Sequence, residues 1–142
     1  MSRSKISEEL REEVEKRAEY RCEYCQTTLE ISTQRFEIEH IKALAKGGTN
    51  HPDNLALSCR GCNAHKHSKA KGHDEITGKK VDLYHPRLDK WSEHFAWDQD
   101  PLYLIGLTPK GRATISALKM NRTQLISVRN LLQQLHKHPP TL

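Results

Sequence analysis

The segment FEIEHIKALAKGGTNHPDNLALSCRGCNAHK, residues 36–66, decides how the chain is read. Phe36 to Ile41 alternates apolar and polar side chains, the period-2 pattern of a strand. Phe36, Ile38 and His40 share one face of it, and Glu37, Glu39 and Ile41 share the other. Gly47-Gly48, Asn50, Pro52 and Asp53 mark a loop by composition. Leu55 to Ser58 is a second short strand. From Asn63 to about Lys71 there is no Gly or Pro, which predicts a basic helix ended by Gly72. The order is therefore strand, loop, strand, helix.

One cysteine pair precedes this unit, Cys22-x-x-Cys25, and a second lies within it, Cys59-x-x-Cys62. A two-residue gap lets both sulfurs of a knuckle face one tetrahedral ion, and four thiolates suit Zn²⁺. The 33 residues between the pairs exceed a short zinc-ribbon spacing, so the fold must bring them together. The other reading is buried or redox-active thiols. A closed four-thiolate site has no open coordination position, which makes this zinc structural rather than catalytic.

Composition points the same way. Hydrophobic residues make up 35% of the 142 positions, and the mean hydropathy is -0.80. So polar a chain is expected to need a staple or a metal to hold its core. No apolar run is long enough for a membrane span, and the charged N-terminus lacks the apolar centre of a secretory signal. The expected location is the cytoplasm, where thiols stay reduced.

The net charge of +5 is concentrated. Between His40 and Gly72 lie Lys42, Lys46, Arg60, Lys66, Lys69 and Lys71 against one acid, Asp53. With 23 basic and 18 acidic residues in all, the rest of the chain balances. This excess fits a polyanionic partner such as nucleic acid, or else a solvated basic helix face.

Outside residues 36–66, Ser7 to Tyr20 reads as a helix capped by Ser7, with acids in its first turn. Residues 78–100 mix turns with Trp91, Phe95 and Trp97, the tryptophans read as core. Pro101 to Gly106 predicts a strand paired with His94 to Trp97. Thr108-Pro109 opens a helix to Lys119. Asn121 is expected to cap a last helix, Arg122 to His136, with Leu125, Val128, Leu132 and Leu135 as its apolar stripe.

Glu39-His40-Ile41, Gly47-Gly48, Asn54-Leu55, Cys59-Arg60-Gly61-Cys62-Asn63 and Lys66, taken in order, resemble the HNH endonuclease family, whose core is the ββα-metal (His-Me finger) motif. Cys22 and Cys25 resemble its zinc-containing branch. The resemblance covers Cys22 to Lys71. It implies an α+β fold: a small zinc-stabilised domain, residues 1–75, followed by a helical C-terminal extension, residues 76–142, packed on the core.

The resemblance also implies roles. His40 is the general base that takes a proton from water, and Asn54 orients it from the loop. Asn63 replaces the final histidine of the family name, making an HNN variant, and acts as ligand to a catalytic divalent ion. Glu39 stands where an aspartate commonly binds that ion, and His67, one helical turn after Asn63, is a further candidate ligand. Such an oxygen-rich set favours Mg²⁺ or Mn²⁺ beside the structural Zn²⁺ of Cys22, Cys25, Cys59 and Cys62.

Lys66, Lys69 and Lys71, with Arg60, are expected to contact DNA phosphates. The implied activity is DNA phosphodiester hydrolysis, leaving a 5′ phosphate and a 3′ hydroxyl. One copy makes one nick; a double-strand break needs a homodimer or two encounters. The competing reading is a non-catalytic zinc-ribbon module that binds nucleic acid.

Overall fold

The computed structural model describes residues 6–141. Helix α1 (Glu8–Arg17) begins where expected. Ser7 accepts the Leu10 amide proton, and Glu8 and Glu9 occupy the positive N-terminal turn. It packs on the hairpin of β1 (Glu37–His40) and β2 (Leu55–Ser58), antiparallel with Glu37 opposite Ser58 and His40 opposite Leu55. Every residue of β2 is buried. Arg17 fastens the hairpin from the helix side, donating to Leu55 O at 2.8 Å and Pro52 O at 3.1 Å.

Helix α2 (Arg60–Lys66) follows β2 directly. It is shorter than the pattern predicts. His67 adopts φ 52° and ψ -126°, a positive-φ turn conformation outside the helical regions that ends the helix without a glycine to announce it. Lys71 and Gly72 then lie in strand β3 (Lys71–His73), which pairs antiparallel with β4 (Lys80–Asp82). Gly72 is a strand residue, not a helix stop. A Cβ there would press on Leu83 and the Ala113 carbonyl, so the bare backbone admits close packing. This hairpin crosses the expected boundary at residue 75.

The extension continues with α3 (Trp91–His94), the hairpin of β5 (Phe95–Trp97) and β6 (Leu104–Gly106), α4 (Pro109–Leu118) and α5 (Thr123–Gln134). Thr108 caps α4 through the Gly111 amide, with Pro109 in the first turn. Asn121 does not cap α5. Its amide instead makes paired bonds to the Leu104 backbone, fixing β6 against the α4–α5 junction. Arg129 of α5 is buried and donates to Met120 O, Leu102 O and Asn121 Oδ1. Its guanidinium also lies 5.1 Å from the Trp97 ring centre, a cation–π contact.

One core runs through both parts. Val14, Tyr24, Phe36, Leu55 and Leu57 meet Leu83, Tyr84, Trp91, Phe95, Leu118 and Met120. Helix α4 packs on α2, β3, β4 and β6. The fold is α+β, with three two-stranded sheets among the described residues, and none of its helices is long and apolar enough to cross a membrane.

Candidate active site and zinc centre

The four cysteines converge from two distant stretches of chain. Their sulfurs lie within 4.8 Å of one another, and all four are buried. Cys25 and Cys59 Sγ are 3.8 Å apart; a tetrahedral ion with sulfurs at about 2.3 Å requires roughly that separation. The residues therefore fit Zn²⁺ in size, number and softness. Local backbone builds each knuckle: the Gln26 amide donates to Cys22 O, and the Cys62 amide approaches Cys59 Sγ at 3.5 Å.

A residue far along the chain completes the centre. Arg122 places Nη2 3.5 Å from Cys59 Sγ and Nη1 3.6 Å from Cys62 Sγ. Four thiolates around Zn²⁺ carry net negative charge, and the guanidinium offsets part of it. Burial works against the Arg122 charge, but the thiolates hold its pKa up. Gly61 makes room, since a Cβ there would collide with the guanidinium. Sequence reasoning gave no hint of Arg122, because the contact spans 60 residues.

An open groove of about 340 Å³ is lined by His40, Asn63, His67 and Glu39, among others. His40 ends β1, and the loop behind it is pinned by Asn54. Asn54 Oδ1 accepts from Lys42 N at 2.8 Å, and its Nδ2 donates to Lys42 O and Thr49 O. Asn54 thus holds the loop backbone.

The contact to the ring itself is made by Asn50, whose Oδ1 lies 2.7 Å from His40 Nε2. With a carbonyl oxygen as partner, Nε2 carries the proton and Nδ1 is the basic nitrogen. Asn50 passes for a turn residue in sequence.

Two of the expected site residues are engaged with each other inside the fold. Glu39 is not free to hold an ion. It is buried, accepts from the Tyr24 hydroxyl at 2.5 Å, and has Lys66 Nζ 2.6 Å from its other oxygen. This second contact is an ion pair whose angle falls outside hydrogen-bond geometry. Burial pushes the Glu39 carboxyl up, and Lys66 and Tyr24 pull against that rise.

Lys66, for its part, points into the fold. It is as buried as Glu39 and also donates to Ile41 O at 3.0 Å, the carbonyl next to His40. An unpaired charge at either position would be costly inside the fold, which is why the two side chains find each other.

The remaining basic candidates scatter. Arg60 is exposed, with Nε 3.8 Å from Glu37. Lys69 leaves α2 and donates to His65 O. Lys71 sits on β3, paired with Asp82 at 3.0 Å. Asn63 donates through Nδ2 to Glu37 Oε2 in a short bond, leaving its amide oxygen as the donor for an ion. His67 lies exposed beside it in the groove.

Residues 22–69 match the family model described as HNH endonuclease. This segment is an HNH domain. No curated protein and no solved structure matches the chain. The match ends near the close of α2, so the HNH domain comprises the zinc knuckles, the β1–β2 hairpin and α2. The family supports a nuclease-type function acting on nucleic acid. The buried four-cysteine cluster places the segment with the zinc-containing CxxC…CxxC members.

Proposed function

We propose that the HNH domain hydrolyses DNA phosphodiester bonds in the presence of Mg²⁺ or Mn²⁺, with His40 as general base. The observation that carries this reading is the placement of His40 and Asn63 on one open groove, with the His40 ring held by Asn50. Nδ1 of His40 takes a proton from a water positioned against the scissile phosphorus. The new P–O bond forms as the P–O3′ bond breaks, and the leaving O3′ takes a proton from solvent water, giving a 5′ phosphate and a 3′ hydroxyl.

Asn50 keeps the ring from rotating away and keeps the proton on Nε2. Asn54 keeps the loop that carries Asn50 against β1. The Glu39–Lys66 pair fixes the Ile41 carbonyl just beyond His40, so both act as positioning residues. With Glu39 committed, Asn63 and His67 are the side chains that would hold the divalent ion. A hard ion completes so sparse a set with water and phosphate oxygens. When bound, it neutralises charge on the phosphate and the leaving oxygen. One groove per chain makes one nick; a double-strand break takes a homodimer or two encounters.

A supercoiled plasmid tests the proposal. Wild type and His40→Ala, both with stoichiometric zinc, are incubated with Mg²⁺, with Mn²⁺, or with no added divalent ion. Ion-dependent nicking by wild type should fall by about 10²–10⁴-fold in His40→Ala. Nicking that persists in the variant removes His40 from the mechanism. DNA binding with no cleavage under any condition makes the domain a zinc-held binding module.

A further inference from the structure

A second cavity, of about 400 Å³, opens beside the groove. Ala43 and Ser68 line both, so the two spaces share a wall. Its floor is apolar. Ile41, Leu83 and Tyr84 are buried there, and Leu88, 80% exposed, stands at its edge.

Its surroundings carry positive charge of a particular kind. Lys42, Lys46 and Lys69 line it, and none of the three has a carboxylate partner among the described residues. The two acids of the lining are already engaged, Asp82 by Lys71 and Asp89 by Lys110.

From this juxtaposition we infer that the cavity receives an unpaired nucleobase of the DNA strand whose phosphate lies at His40. The inference rests on the nuclease reading and adds a substrate class to it. A nucleotide in a strand is an apolar-faced ring between two anionic phosphates. An apolar floor with lysines free of carboxylate partners around it matches both parts. The volume falls within the roughly 300–1,000 Å³ of small-ligand sites. A base still stacked in a duplex cannot enter such a recess, so the strand must present one that is bulged, frayed or single-stranded. The lysines contact phosphates on either side without reading sequence.

The test uses two duplexes that carry 2-aminopurine, one with the probe paired and one with it bulged, and the zinc-loaded full chain without added Mg²⁺ or Mn²⁺. Wild type should bind the bulged duplex at least ~10-fold more tightly, the scale of one buried base, and the probe's emission should change on binding. Ala70→Phe, which fills the mouth, and Leu88→Ala, which strips the edge, should bring the ratio towards one. Both positions are exposed, so neither change threatens the fold.

Equal affinity for the two duplexes with unchanged emission overturns the inference, and so does a preference that survives Ala70→Phe. The plasmid assay separates the two readings. Nicking without a base preference sinks the cavity proposal alone. A base preference in a protein that never nicks upholds the cavity and sinks the nuclease.

Discussion

The zinc centre and the His40 groove lie within one HNH domain and are built on opposite principles. The four cysteines are buried and close together, with Arg122 against two of the sulfurs. Every ligand position is filled by the chain itself. The groove is open, and the two side chains that would hold its ion, Asn63 and His67, are too few to enclose one. A closed site is suited to hold the fold. An open one leaves positions for water and phosphate, as a hydrolytic site requires. Between them sits the Tyr24–Glu39–Lys66 cluster, which spans from the knuckle residue Tyr24 to the carbonyl beside His40.

Stripping zinc breaks the comparison most severely. Structural zinc contributes an apparent ~10–16 kcal/mol in small zinc-held units, more than a typical domain has to spare. A zinc chelator should abolish the near-ultraviolet circular dichroism of the whole chain. His40→Ala should leave that spectrum intact. A chelated protein that keeps its spectrum would show that the apolar core suffices without the metal.

The Glu39–Lys66 pair comes next. Lys66→Met leaves a buried carboxylate without its cation, and about 3–5 kcal/mol of stability should be lost. Urea unfolding measures it. Adding Glu39→Gln should recover part of the loss, because the stranded charge is then gone. If Lys66→Met alone is neutral, the pair does not hold the wall of the groove.

Much of this was legible in sequence because it is local. Ser7 and Thr108-Pro109 name helix starts, and the alternation around Ile38 with the short apolar run at Leu55–Leu57 names the hairpin. The CxxC spacing names the zinc ligands, and the ordered set around His40 names the family. What escaped was decided by tertiary structure. His67 ends α2 with a positive φ that its side chain does not advertise. The β3–β4 hairpin is built of short, largely exposed strands rich in lysine, with no apolar alternation to betray it. Lys66 looks like its basic neighbours until the fold sets it beside Glu39. Arg122 and Asn50 make their contacts to the zinc site and to His40 only across folded space.

Asn50 offers a smaller and sharper test within the groove. Asn50→Ala should lower nicking by about 10–100-fold, the usual cost of losing a group that orients a site residue, with zinc content and stability unchanged. Asn50→Asp should retain more activity than alanine, because a carboxylate still accepts the Nε2 proton. If both variants cut like wild type, the ring is held in the productive pose by something else.

The smallest effect should come from neither centre but from the hairpin between them and the extension. Asp74 is buried, bonded by Arg112 at 2.8 and 3.1 Å and by the Thr77 hydroxyl at 2.7 Å. Arg112, Thr77 and the Thr77 and Ile76 backbone amides hold its carboxyl well below the usual range, against the upward push of burial. A carboxyl so depressed adds stability that is complete above its unfolded pKa, about 3.9, and is lost as pH falls from there towards the folded value.

Asp74→Asn keeps the shape and part of the hydrogen bonding, so its cost at neutral pH should be modest. The informative quantity is the pH dependence. The gap between wild type and variant in the urea midpoint should be constant from pH 7 to 5 and shrink below pH 4. A gap that stays constant into acid would mean that the Asp74–Arg112 contact matters through packing alone, and that the β3–β4 hairpin is fastened to α4 without using the charge.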